Sequence, residues 1–178
     1  MTIMKSSICN LRPVNTEDIL RSLIWRNDDD VKRNLLSFRL PVTKPMEEAW
    51  VQKAMNGDTD RIIFSIEDET ALHVGFIELN TIDYFSRNAY YAIVIGDKTA
   101  RGKGIAKSAT QLILEFAFNK LNLHKVCLQV AEYNHAAINI YKKIGFEQEG
   151  VLKEQLFMDG SYHQMICMGF FKQNLAEK

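Results

Sequence analysis

One junction constrains this chain more than any other feature. The apolar run Ala92-Ile93-Val94-Ile95 ends at Gly96, and a short loop leads to Arg101-Gly102-Lys103-Gly104-Ile105-Ala106. From Ile105 onward, Ala109, Leu112, Ile113, Phe116 and Ala117 recur at helical spacing. A strand therefore delivers the backbone through a glycine-containing turn to the start of an amphipathic helix. The first turn of a helix carries N–H groups with no intrahelical partner and lies at the positive end of the macrodipole. Gly102, Gly104 and the small Ala106 let a ligand approach the main chain closely. The expectation is a diphosphate held by backbone N–H groups, with Arg101 and Lys103 supplying opposite charge.

Two nucleotide-binding patterns fail at this segment. A P-loop requires Lys-Ser/Thr after its last glycine, but Ile105-Ala106 follow Gly104. A dinucleotide fingerprint requires a third glycine where this chain has Lys107. On these residues alone, a plain glycine turn ahead of a helix stays open.

The surrounding pattern is mixed. Strands are expected over 8–12, 61–66, 74–80, 88–95, 125–131, 146–154 and 165–171, with a hairpin signal at Asp159-Gly160. Asn15 or Thr16 caps a first helix with Ile19, Leu20, Leu23 and Ile24 as its apolar face. Asp28-Asp29-Asp30 opens a short helical turn. Thr43 starts a helix with Met46, Ala49, Trp50 and Met55 on its buried side. A last helix runs over 135–144 and is closed by Gly145. This order predicts an α/β (α+β) protein, and 178 residues without repeats or linkers suit one domain over 1–178.

Lys+Arg and Asp+Glu both total 22, which argues against a large charge-driven nucleic-acid surface. No apolar run approaches membrane-spanning length, and Met1-Thr2-Ile3-Met4-Lys5 lacks a signal-peptide core. Cys9, Cys127 and Cys167 read as free thiols of a reducing compartment, so a cytoplasmic protein is expected. Neither they nor His73, His124, His135 and His163 show metal-ligand spacing, so no metal is expected.

Arg101-x-x-Gly104-x-Ala106 resembles the Gln/Arg-x-x-Gly-x-Gly/Ala signature of the GNAT acetyltransferase superfamily. A second segment, Asn134-His135-Ala136-Ala137-Ile138-Asn139-Ile140-Tyr141-Lys142-Lys143-Ile144-Gly145-Phe146, is similar to that family's other CoA-side motif. The resemblance covers most of the chain, and residues 60–171 most strongly. Leu11-Arg12-Pro13, Trp25-Arg26-Asn27, Leu121-Asn122-Leu123-His124-Lys125 and Phe157-Met158-Asp159-Gly160-Ser161-Tyr162-His163 resemble the branch of ribosomal-protein, spermidine and nucleotide-amino-sugar N-acetyltransferases, without separating its members.

The resemblance implies a GNAT fold: a mixed sheet of about six or seven strands with a splayed pair and flanking helices. It implies acetyl-CoA as cosubstrate. Backbone groups of Ile93, Val94 and Ile95 would face the pantetheine arm, residues 101–106 the diphosphate, and Asn134 the arm again or the following helix as its cap. Tyr141 matches the tyrosine that protonates the leaving thiolate, a task a phenol in a dry site can perform. Glu78 is the best candidate to take the amine proton, directly or through water. Tyr91 and His135 are weaker candidates. Trp25, Arg26 and Asn27 are expected at the acceptor pocket, with Tyr162 and His163 near it. The implied reaction is direct acetyl transfer to a primary amine of an amino sugar or polyamine. A protein N-terminus, as in ribosomal-protein acetylation, and a non-catalytic CoA-binding module are the alternatives, and a homo-oligomer is compatible with all of them.

Overall fold

The protein is described here by a computed structural model covering residues 4–36 and 40–175. Residues 1–3, part of the N-terminal segment read above, lie outside the described residues. In chain order the elements are β1 (Met4–Lys5), β2 (Cys9–Pro13), α1 (Ile19–Asn27), α2 (Asp29–Lys32), α3 (Lys44–Asn56), β3 (Ile62–Asp68), β4 (His73–Asp83), β5 (Asn88–Ile95), α4 (Ile105–Asn119), β6 (Lys125–Ala131), α5 (His135–Ile144), β7 (Glu147–Met158) and β8 (Ser161–Phe171). The strands form one mixed sheet in the order β1-β2-β3-β4-β5-β6-β8-β7, and β5–β6 is its parallel pair.

The sheet has eight strands rather than six or seven. The additional strand is β1, where Met4 pairs with Leu11. Its turn is tightened by the Ser6 hydroxyl, which accepts from the Cys9 amide at 3.1 Å. The β7–β8 hairpin also runs further than expected, to Met158 opposite Ser161. Asp159 and Gly160 both take positive φ, 51° and 79°, as a two-residue turn matched to strand twist requires.

Successive side chains of a strand point to opposite faces, and this divides the core. Ile77, Leu79, Tyr91, Ile93 and Ile95 pack with α4 and α5, while Phe76 and Val94 pack with Trp25, Val31 and Val51 of α1–α3. The helices on this second face differ from the expectation. Leu20 and Ile24 are exposed, and α1 turns Ser22 and Trp25 inward. On α3, Met46, Ala49 and Met55 are exposed, and Glu47 and Val51 are buried. The apolar face of α1 fails because Trp25, the largest apolar group, sets the rotation. That of α3 fails because Glu47 finds a cation inside, Arg26 Nη1 at 3.2 Å.

Arg12 fixes where α1 begins. Its guanidinium meets both oxygens of buried Asp18 at 2.6 and 2.9 Å and Glu67 at 2.6 Å. Burial alone would raise the Asp18 carboxyl, but bonds from Arg12, the Asn15 amide and Ser65 hold it below the ordinary range. Among the described residues no helix is long and apolar enough to cross a membrane.

Candidate active site

Strands β5 and β6 pair only from Asn88–Lys125 to Tyr90–Cys127. Beyond that point Tyr91 to Ile95 pair with β4 and Leu128 to Ala131 with β8. The two inner edges thus part and leave main-chain groups facing an opening. Local chemistry draws β5 towards β4. The amides of Gly96 and Asp97 both donate to Val74 O, at 3.0 and 3.2 Å. A Cβ on Gly75 would stand 2.1 Å from Val94 O, so this approach needs glycine.

The opening leads to the glycine turn. Asp97 caps a single turn over Lys98–Ala100, accepting from the Thr99 amide at 2.9 Å, and Arg21 bonds its other oxygen at 2.5 Å. Lys98 Nζ reaches Asp28 and Asp30 at 2.9 and 2.8 Å. These partly exposed pairs contribute little stability, but they tie the loop to α1 and α2. Arg101 Nε donates to Ile95 O at 3.1 Å. Gly102 and Gly104 then take φ of 77° and 81°, and Gly104 is the N-cap of α4. Ser108 is the first amide to bond back into this helix, at 3.0 Å to Gly104 O. The N–H groups before it have no partner inside α4, which is what a helix start offers to a phosphate. No atom lies within 4 Å of where a Gly102 Cβ would be, so this backbone is open to a ligand.

Across the opening, α5 follows β6 directly. Asn134 caps it, with Oδ1 accepting from the Ala137 amide at 3.2 Å. Ile138, Tyr141 and Ile144 form the buried face of α5. The Tyr141 ring meets Tyr91 edge-on at 5.9 Å and Phe146 at 5.7 Å. Burial pushes its phenol up to about 12, opposed by the Tyr91 hydroxyl. Tyr141 therefore stays protonated at neutral pH, as a proton donor must. Tyr91 lies within 2.6 Å of Thr110 Oγ1, which donates to Ala106 O at 2.7 Å. Thr110 has one proton, so Tyr91 must donate to it, and a polar column runs from the first turn of α4 to Tyr91, beside Tyr141.

The other face of β4–β5 carries a cavity of about 100 Å³ under α1–α3. Trp25, Arg26, Trp50, Arg61, Phe76, Glu78, Ala92 and Val94 line it. Glu78 Oε2 accepts from Arg61 Nε and Nη2 at 3.0 and 2.5 Å, and Oε1 accepts from Asn80 at 2.9 Å. Of the residues expected at the acceptor, Trp25 and Arg26 are here. Asn27 is not in this lining: its amide group instead holds the backbone of Val42 through two bonds of 2.9 Å. Tyr162 is exposed on the hairpin, and His163 lines a separate cavity of about 470 Å³ with Arg33, Tyr133 and Asn134. No motif marks Arg61 or Thr110. Their positions follow from the β3–β4 register, Ile63 opposite Glu78, and from one turn of α4.

An opened strand pair between a glycine-rimmed helix start and a buried phenol is the architecture of a transferase that takes a CoA thioester. Comparison with known proteins agrees. The model of the acetyltransferase (GNAT) domain matches residues 9–147, and the chain belongs to that family. It is 32% identical over 168 residues to the spermidine N(1)-acetyltransferase of Escherichia coli K12, covering 94% of this chain and 88% of that one. It is equally identical over 166 residues to a prophage-derived N-acetyltransferase of Bacillus subtilis, covering 92% and 89%. Among solved structures, the spermidine N-acetyltransferase of Vibrio cholerae in complex with CoA and spermine superposes with a TM-score of 0.88 at 27% identity, over 96% of this chain and 99% of that one. A dodecameric form of the Vibrio cholerae enzyme gives 0.80 at 29%, over 94% and 96%. The protein is an acetyl-CoA-dependent N-acetyltransferase acting on a primary amine.

Proposed function

We propose that this chain acetylates a small polyamine, with the CoA thioester on the α4–α5 side of the β5–β6 opening and the amine in the cavity under α1–α3. The observation that carries this reading is the opening itself. It lies between the face of the sheet that carries the Tyr141 phenol and the face whose cavity contains the Glu78 carboxylate. The relatives' spermidine and spermine supply the acceptor class.

The residues fit the cosubstrate. The helix start at 101–106 would hold the diphosphate, the freed edge at Ile93, Val94 and Ile95 the pantetheine arm, and the Asn134 amide nitrogen would also meet that arm, since its oxygen is used by the cap. The thioester supplies an activated acyl carbon and a leaving thiolate. Tyr141 gives its proton to that sulfur. Glu78 takes the amine proton: Arg61 fills both acceptor sites of Oε2 and Asn80 one of Oε1, so the second site of Oε1 receives it, directly or through a water. A cationic acceptor also finds an aromatic wall in Trp25, Trp50 and Phe76.

A second reading, an amino sugar carried on a nucleotide, is favoured by the guanidinium groups of Arg26 and Arg61 beside those rings. CoA-thiol release with spermidine, spermine, a nucleotide-linked amino sugar and a peptide N-terminus separates the readings. Release with the polyamines alone is expected, and release with none of the four refutes both.

We further propose that the chain acts as one catalytic domain and self-associates through β7. This edge strand has twelve residues, most of them exposed, including Val151 and Leu152. An open edge of that length is a template for pairing. The free thiols Cys9, Cys127 and Cys167 support a reducing, cytoplasmic setting.

A further inference from the structure

The acceptor cavity contains an arginine that the reaction does not obviously call for. Arg61 stands at the mouth of β3, one-third exposed, with two donors on one oxygen of Glu78. Its guanidinium lies 5.9 Å from the Trp50 ring, whose neighbourhood also holds Arg26 at 5.0 Å. Arg26 is matched by Glu47, which is fully buried beside it. Lys53 and Asp58, on the outer side of Arg61, are paired with each other at 3.3 Å. From β5, opposite Asn80, the titratable group is the phenol of Tyr90. Among the described residues the one carboxylate in the cavity lining, Glu78, is therefore matched by Arg61, and the neighbouring Glu47 and Asp58 each have a cation of their own.

An alkyl amine reaches the protein as an ammonium, with an ordinary pKa near ~10, and attacks only after losing a proton. A bare carboxylate at Glu78 would bind that ammonium tightly and raise its pKa by a further ~1–3 units. Such binding stabilises the unreactive ground state and slows the chemical step. A guanidinium already seated on Glu78 removes this trap while leaving one lone pair of Oε1 to receive the proton.

We propose that Arg61 is a specificity-determining residue of the acceptor site: by neutralising Glu78 it prevents the cavity from holding the acceptor as a tightly bound ammonium and favours the free amine. This rests on the reading of the cavity as the acceptor site.

The test compares wild type, Arg61→Gln and Arg61→Lys in the CoA-loaded protein. Spermidine affinity is measured by calorimetry, and kcat and KM from pH 6.5 to 9. For Arg61→Gln, spermidine should bind about tenfold tighter, and the rising limb of kcat should move up by about one pH unit. At pH 7, kcat should fall while KM falls too. Arg61→Lys should return both towards wild type. Unchanged affinity with an unmoved limb overturns the proposal. So does weaker binding, the result if the guanidinium holds an anion on the acceptor. Should Arg61→Gln fail to fold, Asn80→Asp adds the same negative charge with the arginine in place and should give the same two shifts; their absence overturns the proposal. A wild type that releases no CoA thiol with any amine sinks the acceptor reading and this proposal with it. A wild type that turns over normally beside an identical Arg61→Gln removes only the role of Arg61.

Discussion

Gly96→Ala should destabilise this protein strongly, because the added methyl meets a packed ring. A Cβ there would stand 2.1, 2.3 and 2.4 Å from three atoms of the Trp25 ring. Ordinary carbon contact is at ~3.5 Å, so the ring must retreat by more than about 1 Å or the end of β5 must shift. Neither move is free. Trp25 is packed on His73 at 4.9 Å and Phe76 at 6.3 Å, with Arg21 at 5.4 Å from its ring. The backbone of Gly96 is held by its bond to Val74 O. Overpacking usually costs ~1–3 kcal/mol, and a site with no slack belongs at the upper end, about 3 kcal/mol. For a chain of this size that corresponds to a fall of roughly 6–12 °C in Tm. Because Trp25 also walls the acceptor cavity, KM for the amine should rise more than KM for acetyl-CoA. Adding Trp25→Leu to Gly96→Ala should cost less than the sum of the two single changes, with a coupling of about 1–2 kcal/mol. Thermal melts of the four proteins decide it: strict additivity, or a Gly96→Ala Tm within 2 °C of wild type (well below the ~6 °C minimum expected), refutes the steric argument.

Tyr141→Phe should lower kcat by about 10²-fold or more, as loss of a general acid does, with CoA affinity within about twofold; single-turnover rates with equal values for both proteins would remove the donor role. Gly104→Arg, at φ 81°, should weaken acetyl-CoA binding at least tenfold by calorimetry, through backbone strain and bulk at the head of α4; unchanged affinity contradicts the diphosphate placement. His73 is lowered to about 4, by burial first and then by Arg12, with Asp18 opposing. The unfolded chain therefore takes up a proton below pH ~6.5 that the folded one refuses, and stability falls on acidification from there to about 4, by roughly 3 kcal/mol in all. Urea midpoints between pH 7.5 and 4.5 should show this slope, and His73→Gln should flatten it; equal slopes exclude His73. Val151→Lys with Leu152→Glu should shift the mass seen by light scattering towards the monomer, and a wild type already monomeric refutes pairing through β7.

The parts legible in the sequence are those with a local cause. The starts of α4 and α5 and the Asp159–Gly160 turn depend on glycine φ or on one cap, and each stands where the residues place it. The faces of α1 and α3 have no local cause. Leu20 and Ile24 repeat at helical spacing yet are solvent-exposed, because Trp25 has His73 and Phe76 to pack on, far along the chain. Glu47 lies inside because Arg26 does, and no pattern along α3 can report that. Asn27 follows the recognisable Trp-Arg but spends its amide on Val42, a partner that no local pattern marks.

The same distinction explains why the acetyl donor is easier to read than the acceptor. Strand β5 serves both halves of the reaction by alternation: Tyr91, Ile93 and Ile95 turn to the side of α4 and Tyr141, and Ala92 and Val94 to the cavity. The donor side is built from contiguous runs, 101–106 and 134–146, so its chemistry is written in short motifs. The acceptor side is assembled from single residues of α1, α3, β3 and β4, with Arg26, Trp50, Arg61 and Glu78 brought together only by tertiary contacts. A substitution at any of these four changes charge or shape in the cavity while leaving the helix start at Gly104 and the Tyr91–Thr110–Ala106 column untouched. Amine selectivity can therefore vary without disturbing thioester binding, and exchanges at Arg26 and Arg61 should redirect the acceptor while acetyl-CoA affinity stays constant.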